Sequence, residues 1–270
     1  MISIKSVTSN QFLPHHGLSR GSIRTLLKKG GSQNACAFTQ AAICYLDFLS
    51  EYFYLIGYSD EQERLNIIQS TLLECWKYAP YIRRVSDFER FLGILLEKSS
   101  SLLPTAFKFP DEKLGQLNHT QRFLLVARTL QNWSYRGMHL ATRIKKHEIT
   151  SALTELKCIL TGFEQEPLKT SQKILLLRVN DLLEGKLKPR ESMTIEKELI
   201  EQPLIRQFKA DWLSYRCELA EFKQQAFFKQ SVIDLFKKRL IALFQTVPIN
   251  QPNFRDNLIN HFSFTRIPTR

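Results

Sequence analysis

From Pro203 onward the chain carries Leu204, Phe208, Trp212, Tyr215, Leu219 and Phe222 at steps of three and four residues. That spacing returns to one side of an α-helix, whereas the faces of a strand alternate every second residue. Pro203 suits the first turn, where its missing N–H costs nothing. Val232, Phe236, Leu240 and Leu243 continue the theme until Pro248, with Pro252 beyond. The run predicts a helical hairpin or one long bent helix, packed on the body or on a partner. Similar spacing recurs upstream, and no stretch carries a convincing strand pattern, a fixed-period repeat or a low-complexity tract. The expected fold class is all-α.

Turn and break signals divide the chain. Residues 1–21 are polar, with Pro14 and the adjacent His15 and His16. They read as a flexible arm, and two neighbouring histidines without a third ligand do not make a metal site. Residues 22–98 read as the first helical module. Ser22–Gly30 is a short basic helix stopped by Gly30-Gly31, and Asn34–Ile56 is apolar almost all round, so it should be buried. Ser59 with Gln62 offers a capping box for a helix to about Tyr78, with Leu65, Ile68, Leu72 and Cys75 on one stripe and Trp76 beside it. Pro80 ends it. Ser86 to Glu89 offer a second box, opening a helix with Phe88, Phe91, Leu92 and Leu95 on one face. Capping explains Asp87 and Glu89 better than acid/base work. Residues 99–116, with three serines, Pro104 and Pro110, read as a linker. A second module spans 117–162 and begins with a helix from Thr120 to Leu130. Gly162 and Pro167 mark a break before the helical C-terminal extension, 170–270, whose first helix stops near Gly185.

The stretch Trp133 to Leu160 reads as two short helices joined by a tight turn, Arg143 to Lys146. Ser134 can cap the first helix through its hydroxyl. In the second, Ile149, Leu153, Leu156 and Leu160 form one apolar face. His147, Thr150, Ser151 and Thr154 then face away, behind Lys145 and Lys146. Such a pair can hold one helix on a core while its outer face enters a major groove. Two amphipathic helices with a short turn also occur in helical domains that bind nothing, and a basic outer face is often simply solvated.

The formal charge of +12 creates a field that attracts polyanions, nucleic acid first and acidic membrane next. Five scattered cysteines form no C-x-x-C pair, so neither a zinc knuckle nor a redox motif is offered, and a reducing cytoplasm fits. No signal peptide, membrane-length apolar run or phosphate-cradling glycine loop is visible. His139 has no triad or metal pattern around it. We expect no cofactor, no metal, no membrane partner and no covalent chemistry. Trp76 and the aromatic stripe of the last third read as core.

Two blocks resemble bacterial RNA polymerase sigma factors of the extracytoplasmic-function class. In the first, the matching positions are Ala37-Phe38, Ile67-Ile68-Gln69, Trp76, and Phe88 with Phe91-Leu92. In the second they are Leu117, Gln121-Arg122, Trp133-Ser134-Tyr135, and Ile149 with Leu153. The likeness covers about half the chain, Leu26 to Leu160. It implies that 22–98 is the module that binds the polymerase clamp and the melted minus-ten strand. Asn66 and Gln69 would lie on the polymerase side, and Tyr81, Arg83, Arg84 and Arg90 on the DNA. It implies that 117–162 reads the minus-thirty-five element. Lys145, Lys146, His147, Thr150, Ser151 and Lys157 would lie on the recognition helix and turn, and Arg136 and Arg143 on phosphate. Expected partners are promoter DNA and core polymerase, with a regulatory protein or an intramolecular contact through the extension.

The departures matter. Leu65 and Asn66 stand where the family carries an acidic pair, His139 where it has a small residue, and Arg143 where it has the turn glycine. Thr150, Ala152 and Glu155 stand at positions often Arg, and each lost bidentate contact to guanine removes about 1–3 kcal/mol of discrimination. Two further readings remain open: a helix-turn-helix DNA-binding regulator that has lost polymerase, and a helical interaction scaffold with no DNA role.

Overall fold

The computed structural model describes residues 18–101 and 112–249. Among them there is no strand, and the class is all-α. The 1–21 arm with His15 and His16, the middle of the 99–116 stretch and the chain after residue 249 lie largely or wholly outside the described residues.

Helix α1 (Arg20–Gly31) opens on Ser19, whose hydroxyl accepts from the Ser22 amide, and presents Ile23 and Leu27 inward. The apolar run after Asn34 is buried as expected, but it is two helices, α2 (Ala35–Ile43) and α3 (Leu46–Leu55). No glycine or proline marks the break at Cys44-Tyr45. Helix α4 (Glu61–Lys77) is capped by Asp60, whose carboxylate accepts from the Glu63 amide, not by a Ser59 box. A single 3-10 turn over Pro80 leads to α5 (Val85–Ser101). There Asp87 accepts from the Arg84 amide at 3.0 Å, but Glu89 is no cap. It is fully buried, taking bonds from Arg20 (2.8 Å) and the Tyr45 hydroxyl (3.0 Å), and so ties α1 and α3's entry to α5.

The predicted linker is helical at both ends. Helix α5 runs into it, and α6 (Glu112–Gln116) buries Leu114. An Asn118–Gln121 capping box starts α7 (His119–Leu124), which widens into a π turn over Leu125–Leu130. Then come α8 (Tyr135–Thr142), α9 (Lys146–Thr161), α10 (Thr170–Leu183), α11 (Pro189–Ile200), α12 (Pro203–Ala226) and α13 (Gln230–Thr246).

The two modules read from the sequence are not separate bodies. One hydrophobic core runs from Ile23 in α1 through Leu153 in α9 to Phe244 in α13. Phe48 of α3 stacks on Trp133 at 5.0 Å and meets Phe123 edge-on at 5.3 Å. Gln131 donates to Glu51 at 2.7 Å, and the Tyr52 hydroxyl meets His119 Nδ1 at 2.8 Å. The physical reason is that α3 carries apolar residues on almost every side, so it needs walls nearly all round, and the second module supplies one.

The extension supplies another. Trp76 is core, as expected; it stacks on Phe244 of α13 at 5.2 Å and donates to the Val247 carbonyl at 3.0 Å. Phe222 of α12 meets Tyr54 at 4.8 Å, and Lys223 donates to the Leu130 carbonyl at 2.7 Å. A smaller second core joins Cys158, Leu168, Leu175, Leu176, Val179, Ile195, Leu199, Ile205 and Phe208. The extension is thus two things: α10, α11 and the first half of α12 around their own core, then a second half that closes the main one.

Candidate nucleic-acid interface

Helices α8 and α9 form the expected helix–turn–helix. The Ser134 hydroxyl accepts from the Gly137 amide at 3.0 Å, the predicted cap. Arg143 ends α8 with φ of 60°, the left-handed conformation that favours glycine at helix C-termini. Its amide bonds the His139 carbonyl at 2.8 Å, and His139, half-buried, meets the Ile144 carbonyl through Nδ1 at 2.7 Å. Thr142 bridges the corner, donating to Met138 and accepting from the Ile144 amide. The turn is therefore held by side chains, which offsets the cost of a non-glycine residue at positive φ.

Ile149, Leu153, Leu156 and Leu160 are fully buried, as their spacing requires. Lys145, Lys146, His147 and Ser151 are exposed, as are Arg136 and Arg143, while Thr150 is half-exposed. Two residues depart from the expected outer face. Thr154 is buried, its hydroxyl donating to the Thr150 carbonyl at 2.9 Å. Lys157 is wholly buried and cannot touch DNA. Its ammonium donates to Glu184 and to the Asn180 side chain, and it lies 5.3 Å from the centre of the Trp212 ring. Glu184 also takes Arg128. Burial pushes the Glu184 carboxyl up, but the combined pull of Lys157 and Arg128 outweighs it and holds the group below its ordinary range.

The first block's residues sit as follows. Arg83 and Arg84 are exposed. Tyr81 is half-buried with its hydroxyl turned inward, so it is no free stacking platform. Arg90 is half-buried. Burial first, and the neighbouring Arg143 charge second, push its guanidinium down from the ordinary value, with Asp87 opposing. The packing of α5 on α8 therefore brings Arg90 beside the turn of the helix–turn–helix. On α4, Asn66 is exposed and accepts from Gln62 at 3.0 Å. Gln69 is half-buried, with its carbonyl oxygen buried and without a hydrogen-bond partner. Leu65 is buried.

The structure adds one residue that the sequence did not point to. Lys186, in the turn between α10 and α11, donates to the Thr150 hydroxyl at 3.1 Å and to Asp181 at 2.6 Å. Its ammonium stands 3.7 Å from the centre of the Tyr135 ring, an arrangement of cation over aromatic face. Only the fold brings it to α9, so no local signal could have found it.

Among the described residues no group of histidine, cysteine, aspartate or glutamate side chains could hold a metal ion. No described helix is long and apolar enough to cross a membrane. No family model, curated protein or solved structure matches this chain.

Proposed function

We propose that the chain binds duplex DNA through α8 and α9, as one body and without a second DNA-binding lobe. The observation that carries this reading is the uncovered start of α9. Lys146, His147 and Ser151 of α9, with Lys145, Arg143 and Arg136 beside them, are open to solvent, whereas Thr154 and Lys157 further along the helix are buried. Cations there suit phosphate, and His147, Thr150 and Ser151 suit base edges. With Arg absent from the outer face of α9, affinity should come mainly from phosphates and sequence preference should be weak.

The family-like reading, in which polymerase and two promoter elements are held together, has less support. Those elements lie roughly 25 base pairs apart, about 85 Å at 3.4 Å per step. Here Arg90 of the first block neighbours Arg143 of the second. Among the described residues the two blocks share one core. Leu65 is buried where the family carries one of its acids.

Fluorescence anisotropy with a labelled duplex tests the proposal. Four phosphate-facing cations, Arg136, Arg143, Lys145 and Lys146, predict a log–log salt slope of about −3.6 from the factor of 0.9 per phosphate. Lys145→Glu with Lys146→Glu should abolish binding while circular dichroism stays unchanged. Binding that ignores salt, or survives that double variant, would leave the scaffold reading. Co-purification of core polymerase with the full chain would restore the initiation-factor reading.

A further inference from the structure

A surface hollow of about 370 Å³ lies between α8, α9 and the turn after α10, lined by Tyr135, Lys146, His147, Thr150 and Lys186. Two lysines and a histidine from separate parts of the chain converge on it, with a threonine hydroxyl between them. Lys186 arrives from the extension, outside the helix–turn–helix. Its ammonium has three N–H donors, of which Asp181 and Thr150 use two. The Lys146 ammonium has no hydrogen-bond partner among the described residues. The Tyr135 ring forms one wall, with the Lys186 ammonium 3.7 Å from its centre. Two carboxylates border this set, Asp181 on Lys186 at 2.6 Å and Glu148 beside His147 at 3.9 Å, and Lys146 is the cation that neither engages.

We infer that this hollow seats one tetrahedral phosphate, with Lys146 and Lys186 as its charged walls and His147 as a further donor, while Thr150 holds Lys186 in place. Resting on the DNA-binding reading, the phosphate is one of the duplex backbone. The extension then contributes directly to the nucleic-acid surface. A compact dianion or phosphodiester suits the site because separate lysines offer point charges with mobile donors, which match phosphate oxygens without the planar fork that carboxylate pairs favour. Lys186 is pre-positioned by its bonds to Asp181 and Thr150 and by the Tyr135 ring, so little side-chain freedom is lost on binding.

The test compares wild type, Lys186→Ala and Lys238→Ala for duplex binding across a salt series, with inorganic phosphate titrated into each by NMR. Lys238 is an exposed lysine of α13 and controls for net charge. The expected result is duplex affinity about tenfold weaker for Lys186→Ala at the lowest salt, with Lys238→Ala close to wild type. Wild-type duplex affinity in Lys186→Ala overturns the inference while leaving the DNA reading intact. If wild type binds no duplex, the DNA reading falls by itself. Phosphate-induced shifts at Tyr135 and Thr150 that vanish in Lys186→Ala would then keep the hollow as a seat for free phosphate. Their absence would overturn it.

Discussion

Lys146 and Lys157 stand about three turns apart on α9, close to the same angle around its axis. Both flank the apolar face, and the sigma-factor resemblance assigns both to the DNA. Lys146 is open to solvent, whereas Lys157 is wholly buried among Glu184, Asn180 and Trp212. The difference lies in α10 and α12, which pack on α9 and bring Asn180 and Trp212 to Lys157. One end of the helix has been absorbed into the body, and the other remains available to a ligand. A buried ammonium is tolerable only with charged and hydrogen-bonding partners, and Lys157 has both.

Truncation after Gly162 attacks this comparison most severely. It removes Phe222, Phe228, Phe236, Leu240 and Phe244 from the main core and the Lys157 partners Asn180, Glu184 and Trp212. The shortened chain should lose cooperative thermal unfolding by calorimetry and collect in the insoluble fraction. A soluble fragment with a sharp transition would mean that α10–α13 are an appendage and that α9 has no protected end.

Single substitutions sharpen it. Lys157→Ala should cost about 3–5 kcal/mol in urea unfolding, because a buried carboxylate loses a partner and a cavity opens. Lys157→Met should cost less, since it fills the space and Arg128 still holds Glu184. Lys146→Ala should stay within about 0.5 kcal/mol. Equal costs at the two lysines would erase the distinction.

The smallest effect concerns a second charge sealed by α12. Burial pushes the Glu51 carboxyl up to about 7, although Gln131 and then Lys223 draw it down. Its ordinary value is 4.5, so the unfolded chain ionises first as pH rises. The stability linked to its proton is fully present below about 4.5 and is lost as pH climbs to about 7. Glu51→Gln keeps an acceptor for Gln131 and should gain about 1–3 kcal/mol over wild type at pH 8, shrinking towards pH 4.5. His119 runs the opposite way. Burial, reinforced by Arg122, lowers it to about 4 from 6.5, so its contribution is present above 6.5 and lost on acidification. The variant should therefore expose a steeper acid loss than wild type, read as melting temperature against pH.

Much of this molecule is legible in the residues alone. The helical class, the burial of the run after Asn34, the Ser134 cap and the inward face of α9 all follow from spacing and side-chain chemistry over a few turns. The caps at Asp60 and Asn118 were within reach as well, because the same local rule that suggested Ser59 also admits its neighbour. The Cys44-Tyr45 break, the buried role of Glu89 and the fusion of the two modules were not, since each depends on a contact with a distant segment.

The sequence by itself determined which residues turn inward around each helix, because a helix's angular pattern is set by its 3.6-residue period. It also determined that a cationic helix–turn–helix would be present. Only the tertiary structure decided how far along α9 that outward face stays open, that Lys157 is sealed and that Lys186 joins Lys146. The period reports direction around an axis and carries no information about which remote helix comes to lie against it.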